Sequence, residues 1–173
     1  MSIFIDISKI HGQEKGELKE EEVLKEFLNG INEEVFKNNS SMENIKKKIN
    51  DGFKSLGLKN YDFSSGGDIF DIPIPAISDN YSKLSKFVIE LPQKIVDSNE
   101  NIDGFIIAID EFQLLKNLEN PDAFFWLIRS STQRQFNVSY IFTGSISQTS
   151  DIISMVNGPE GADRKSTRLN SSH

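Results

Sequence analysis

The sequence predicts an α/β fold built on a parallel sheet, and two apolar runs carry that prediction. Residues 104–113 read GFIIAIDEFQ, in which an unbroken apolar run is followed at once by two acids. Residues 137–145 read NVSYIFTGS, a second apolar run that ends in small polar residues. Short apolar runs of this kind are typical of strands that are buried on both faces of a parallel sheet.

A helical stretch lies between the two runs, at residues 121–135, PDAFFWLIRSSTQRQ. Pro121 suits the first turn of a helix. Phe124 and Ile128 are four residues apart and can share one apolar face. Strand, helix and strand at this spacing predict a βαβ unit with a right-handed crossover.

Asp110 and Glu111 follow the first apolar run directly, at the end of a strand where ligands of open α/β sheets bind. The pair resembles the Walker B motif of the P-loop NTPases. That resemblance implies that Asp110 holds Mg²⁺, usually through water. It also implies that Glu111 polarises the water that attacks the γ-phosphate. The alternative is a buried strand followed by a solvated Asp-Glu turn.

The order IDEFQ, helix, FTGS resembles the archaeal-type ATPase family within the AAA+/STAND group of P-loop ATPases. The resemblance spans roughly residues 3–162, but its specific motifs are confined to residues 104–113 and 138–145. In that family the polar end of the second strand senses the γ-phosphate or its water, and Thr143 and Ser145 match that position. The resemblance therefore implies ATP and Mg²⁺ as cofactors, and a three-layer αβα sheet of the P-loop NTPase type.

The glycine-rich loop of that family, G-x-x-x-x-G-K-[ST], does not occur in the 173 residues. By resemblance, its strand would come before residue 3 in the chain and would pair on the far side of the second apolar run. We therefore expect an incomplete core that lacks the P-loop strand, either begun at an internal Met or cut at both ends. A family member that has lost the loop is the alternative. Residues 138–143 would then form an exposed apolar edge, and we expect the chain to fold poorly alone or to self-associate.

The last residues differ in character from the rest. Residues 163–173 read DRKSTRLNSSH, which resembles one reading frame of a sequencing-adapter oligonucleotide. We interpret residues 1–162 as a partial ATPase core, from its second strand through its sensor strand, and residues 163–173 as an artefact. A native polar tail is the alternative. We expect the natural chain to continue past residue 162 into a module that the ATPase drives.

Periodicity predicts the remaining elements. Apolar residues three and four apart predict helices at residues 20–37, 41–56, 80–97 and 147–158 and a short helical turn at residues 112–119. A short apolar run predicts a strand at residues 3–7. Pro92 should kink or split its helix near Glu90. Residues 61–78 contain two prolines and predict an irregular or edge segment.

Composition excludes several classes of protein. There are no cysteines, so disulfides and thiolate metal sites are excluded. No stretch reaches the roughly 18 apolar residues of a membrane span, and the first residues lack the features of a signal peptide. We therefore expect a cytoplasmic protein without membrane partners. The formal net charge of −7 does not favour a broadly basic nucleic-acid surface.

Three functions fit these observations. The leading hypothesis is a fragment of an ATP-binding and ATP-hydrolysing AAA-type core, inactive by itself, from a magnesium-dependent ATPase. The second is a degenerate, non-hydrolysing regulatory or scaffold domain of the same fold, which the absent loop favours. The third is a magnesium-dependent nuclease or phosphatase, which would need Asp6 to join Asp110 and Glu111. A homo-oligomer, and a protein or nucleic-acid partner bound through missing regions, stay open, as do the source of any arginine finger and the target of the ATPase.

Overall fold

The computed structural model describes residues 1–10, 18–37, 43–56 and 79–145. Within them the elements follow the order β1 (Ser2–Asp6), α1 (Glu20–Lys37), α2 (Glu43–Ser55), α3 (Asp79–Val96), β2 (Phe105–Asp110), α4 (Pro121–Thr132) and β3 (Val138–Phe142). Single 3₁₀ segments follow the first two strands, at Ile7–Lys9 and Phe112–Asn117. The predicted segments at residues 61–78 and 147–158 lie outside the described residues.

The three strands form one parallel sheet in the order β1-β2-β3. The predicted α/β fold class is confirmed, and β2 lies between its two neighbours as expected for a sheet of the P-loop NTPase type. The register sets Asp6 beside Asp110 and Ile109 beside Phe142. The carboxyl ends of all three strands therefore meet at one edge of the sheet, and the residues that follow them are brought together there.

One face of the sheet carries the hydrophobic core. Ile5, Ile107 and Ile109 point to this face and are fully buried. The crossover from β1 to β2 and the crossover from β2 to β3 run in the same direction across the sheet. Right-handed crossovers of that kind place their helices on the same face, which explains why the described core is one-sided. The largest fully buried side chains on this side are Phe27, Phe53, Phe105, Phe112 and Phe124.

The interpretation of β2 as a strand buried on both faces is wrong for the described part of the chain. Burial alternates along β2, and the face opposite the core is open. Phe4 is 61% exposed, Ile106 45% and Ile141 49%. The register places Phe4, Ala108 and Ile141 side by side across this face. We call these residues, together with Ile106, the open face. The third layer of an αβα arrangement is not among the described elements.

The proline in the third helix does not split it. α3 runs without interruption from Asp79 to Val96, so that part of the expectation is wrong. Pro92 has no N–H to donate within the helix. Nearby, the backbone carbonyl of Ile89 accepts hydrogen bonds from Gln135 Nε2 at 2.9 Å and from the Tyr140 hydroxyl at 3.4 Å. Side chains from the segment around β3 thus donate to α3 close to Pro92. Burial raises the pKa of the Tyr140 phenol.

The other helices follow the predictions closely. α1 has the predicted bounds, and α4 ends three residues before the predicted position because its last turn is capped at Gln133. The short helical turn predicted after β2 is present as a 3₁₀ segment over Phe112–Asn117. In the part of the chain that the structure describes, no helix combines the length and hydropathy that crossing a bilayer requires.

Candidate functional site

The acids after β2 and the threonine after β3 meet at the carboxyl edge of the sheet. The ladder between these strands continues past Phe142, because the Thr143 amide donates to the Ile109 carbonyl at 2.9 Å. The Thr143 carbonyl in turn accepts from the Phe112 amide at 3.0 Å. These two bonds fix the backbone of Thr143 against the turn that carries Asp110 and Glu111. The two strand ends therefore bring Thr143 close to Asp110 and Glu111.

Asp110 is the centre of this group. Its Oδ1 atom accepts from the backbone amide of Glu111 at 3.0 Å and from the Thr143 hydroxyl at 2.5 Å. Both bonds use the same oxygen, and no described residue donates to Oδ2. The side chain is half-buried and lies on the same face of β2 as Ile106 and Ala108.

Glu111 has an unusual backbone conformation. Its φ and ψ of 53° and 35° are left-handed, and among the described residues it is the single non-glycine with positive φ. Such a conformation costs on the order of 1–3 kcal/mol and persists only where surrounding contacts impose it. It turns the chain sharply from β2 into the 3₁₀ segment, so Glu111 does not continue the strand.

Gln113 is a contact of Glu111 that sequence reasoning missed. Its side chain is 6% exposed, and its Nε2 atom donates to Glu111 Oε2. Its Oε1 atom is buried without a hydrogen-bond partner in the described residues, which costs about 1–3 kcal/mol. A Cβ placed on Gly144 would overlap Oε1 and lie 3.0 Å from Cδ. In the sequence, Gln113 stands out only as the last residue of the IDEFQ motif, and that position does not indicate its contact with Glu111.

Asp6 is beside Asp110 in register but is engaged elsewhere. Its Oδ1 atom accepts from the amide and hydroxyl of Ser8 at 3.0 and 2.6 Å, and its Oδ2 atom pairs with Lys9 at 3.0 Å. The pKa of the Asp6 carboxyl is lowered mainly by the hydrogen bond from the Ser8 hydroxyl and, to a smaller extent, by Lys9. No cluster of three or more metal-ligating side chains occurs in residues 1–10, 18–37, 43–56 and 79–145. These contacts count against the nuclease or phosphatase hypothesis.

The donor set fits Mg²⁺ held mainly through water. Mg²⁺ prefers oxygen ligands, keeps several waters, and is often bound through one or two carboxylates together with substrate phosphates. Asp110 provides such a carboxylate, and two donors hold its Oδ1 atom.

The remaining candidates are less closely connected to the acids. Ser145 is exposed and lies two residues beyond Thr143. Arg134 precedes β3, at the opposite edge of the sheet, and pairs with Glu90 of α3 at 3.4 Å. Arg129 belongs to the last turn of α4. Neither arginine therefore belongs to the group at the carboxyl edge.

No family model and no curated protein matches the chain. Among solved structures, it is similar to a Walker-type ATPase of Pyrococcus abyssi, with a TM-score of 0.49 and 18% sequence identity. The similarity covers 88% of this chain and 37% of that one, so the chain spans little more than a third of the length of that structure.

Proposed function

We propose that this chain is part of the core of an ATP-binding and ATP-hydrolysing ATPase of the AAA type. The observation that carries the proposal is the hydrogen bond from Thr143 to Asp110, next to Glu111, at the carboxyl edge of a parallel sheet. Ligands of open α/β sheets bind outside that edge. An acid pair after one strand can hold Mg²⁺ and orient a water there, and a hydroxyl after the neighbouring strand can contact the γ-phosphate.

In this proposal each residue has a separate role. Asp110 holds Mg²⁺ through a bound water, using the oxygen that Thr143 and the Glu111 amide leave available. Glu111 accepts a proton from the attacking water and orients it. Thr143 and Ser145 contact the γ-phosphate or its water. The hydrogen bond from Thr143 connects this contact to Asp110. The cation supplies charge neutralisation for the phosphates when it is bound.

The proposal includes a phosphate-binding loop supplied by sequence outside these 173 residues. Phosphoryl transfer depends on positioning and charge stabilisation, to which a lysine and a cradle of backbone amides contribute. We therefore expect the 173-residue chain by itself to show no ATP turnover. The full-length protein, expressed from the natural gene that contains this segment, is the proper test.

The test is E111Q in that full-length protein, compared with E119Q as a matched control at an exposed glutamate. We expect E111Q to retain binding of Mg·ATP, measured by calorimetry, and to lose turnover by roughly 10²–10⁴-fold, the range for loss of a general base. E119Q should match the unmodified protein in both measurements. Wild-type protein that binds Mg·ATP but does not hydrolyse it would contradict the proposal.

A degenerate regulatory or scaffold domain is the second candidate. The specific observation that favours it is the absence of G-x-x-x-x-G-K-[ST] in the 173 residues. A domain of this kind would be indifferent to E111Q in every assay. If the full-length gene also lacks the loop, this candidate becomes the better account.

A further inference from the structure

We propose that Gln113 is a positioning residue for Glu111, and that Gly144 makes room for it at the end of β3. The side chain of Gln113 would hold the Glu111 carboxylate in the orientation in which it receives a proton. This role rests on the proposed function for its kinetic consequence, whereas the contact itself does not depend on that function.

The local geometry brings the Gln113 side chain to Glu111. Glu111 leaves β2 in a left-handed conformation, and the 3₁₀ segment that follows brings Gln113 back towards it. The Gln113 amide donates through Nε2 to Glu111 Oε2. Because the Gln113 side chain is almost completely buried, it has little freedom to adopt another position. A carboxylate bonded to a fixed amide is itself restrained.

The orientation of the Gln113 amide favours the bond to Glu111. Turning it over would place Oε1, an acceptor, against the carboxylate of Glu111. The observed orientation instead leaves Oε1 buried beside Gly144 without a partner in the described residues. A buried acceptor left unpaired is unfavourable. The bond from Nε2 to Glu111 is thus formed although Oε1 of the same amide is left without a partner in the described residues.

Gln113 is also linked to the end of β3. Any side chain at position 144 would occupy the space of the Gln113 amide, so Gly144 and Gln113 fit together. The residue before Gly144 is Thr143, whose hydroxyl bonds to Asp110. A displacement of this strand end would therefore move Asp110, through its bond to Thr143. It would also move Glu111, through the contact of Gly144 with Gln113. Both acids would respond to the same movement.

The first experiment needs no catalytic activity. Hydrogen exchange of side-chain amides is followed by NMR on the full-length protein, with the exposed Gln133 as an internal reference. We expect the Gln113 amide protons to exchange at least ten-fold more slowly than those of Gln133. That protection should be lost in Glu111→Ala and in Gly144→Ala. Equal exchange of Gln113 and Gln133 in the unmodified chain would overturn the contact.

The second experiment is a double-mutant cycle on ATP turnover in the full-length protein. Q113M keeps the length of the side chain and removes the donor, and Q133M is the matched exposed control. We expect Q113M to lower kcat roughly 10–100-fold, the cost of a misplaced catalytic group, with KM changed less than two-fold. In the E111Q background, Q113M should cause no further loss, because it acts through Glu111.

The outcomes separate this proposal from the function on which it rests. A kcat within two-fold of wild type in Q113M, in an enzyme that does hydrolyse ATP, would overturn the positioning role and leave the function intact. Losses that multiply with E111Q would indicate a structural role instead. A wild-type protein without turnover contradicts the proposed function, and the exchange experiment then decides whether Gln113 restrains Glu111. Thermal melts of Q113M verify that it is folded.

Discussion

Asp6 gives the clearest prediction at the scale of single residues. The Ser8 hydroxyl and the Lys9 ammonium hold the pKa of its carboxyl below the ordinary value of 3.8. A group whose pKa is lower in the folded state contributes stability that is present above its unfolded pKa. That contribution is lost as the pH falls below about 4 and through the lowered pKa of the folded state.

We therefore expect D6N to lower the free energy of unfolding at pH 7, because the amide can neither pair with Lys9 nor accept as strongly from Ser8. The difference from wild type should shrink below pH 4 and vanish once Asp6 is protonated in both states. Urea titrations at pH 7, 4 and 2.5 measure it. D97N, at an exposed aspartate, serves as the control. A difference for D6N that stays constant over this pH range would contradict the assigned cause.

The residues of the candidate site differ in how far the sequence could predict them. The proximity of Asp110 and Thr143 follows from one rule, that parallel strands end at the same edge, so the pattern was enough. The contact between Gln113 and Gly144 joins two segments on different strands, and no periodicity indicates it. The left-handed backbone of Glu111 was also missed, because glutamate has no intrinsic preference for that conformation.

Two helical glycines provide a matched prediction at the scale of elements. A glycine inside a helix costs roughly 0.5–1 kcal/mol relative to alanine, so G30A should stabilise α1 unless the new methyl group clashes. At Gly30 the nearest atom to a Cβ would be Ile3 Cβ, at 3.4 Å, an ordinary contact. We expect G30A to raise the free energy of unfolding by up to about 1 kcal/mol.

Gly52 of α2 should behave in the opposite way. A Cβ there would lie 2.5 Å from Cζ of Phe87 on α3. The Phe87 ring packs edge-on against Phe53, with centroids 5.4 Å apart, and Lys94 Nζ lies 4.5 Å from its centroid. Overpacking of this kind costs about 1–3 kcal/mol, more than the helical gain, so G52A should be destabilising.

Chemical denaturation of the two glycine variants, followed by circular dichroism, measures both effects in the same way. The prediction is the difference in sign between G30A and G52A. If both variants stabilised the chain, α2 and α3 would not pack as closely as Gly52 and Phe87 indicate.

Pro92 shows why an element predicted from a local rule can differ from the one that forms. The rule that proline breaks a helix concerns the hydrogen bond that is lost within it. It takes no account of the burial of Pro92 itself or of the side chains of Gln135 and Tyr140, which donate to the helix nearby. Because these tertiary contacts come from a segment more than 40 positions away, the sequence pattern around Pro92 did not contain them.

At the scale of the whole molecule, the open face is the dominant feature. Exposed apolar area of this kind favours association between molecules, and β3 is an edge strand among the described elements. We expect the isolated chain to self-associate at micromolar concentrations. I141K, which places a charge on this surface, should shift the chain towards monomer in sedimentation velocity experiments.

S139K is the control for that experiment, because Ser139 is exposed on the same face of the same strand but contributes no apolar area. It adds the same charge and should reduce association less than I141K. A wild-type chain that is monodisperse and melts cooperatively would contradict the prediction. Equal effects of the two lysines would indicate net charge rather than the open face as the cause.

The order of the strands could be predicted from the sequence, but which face of the sheet is covered by helices could not. Apolar runs, and the family that they resemble, indicated three parallel strands with β2 in the centre. An apolar run such as residues 105–109 does not say which of its two faces is covered, because Ile106 and Ile107 look alike in the sequence. Their exposures differ because the described crossovers run in one direction.

During synthesis of the chain, β1 has to wait much longer for its partner β2 than β2 has to wait for β3. A bond that joins β2 to β3 spans 33 positions, whereas one from Met1 to Gly104, next to β2, spans 103. During synthesis at about 5–20 residues per second, β1 would leave the ribosome roughly 5–20 s before its partner exists. The helices α1 to α3 would emerge in that interval with no sheet to cover. A nascent chain of this protein is therefore expected to depend on chaperones until β2 arrives, and to complete its sheet soon afterwards.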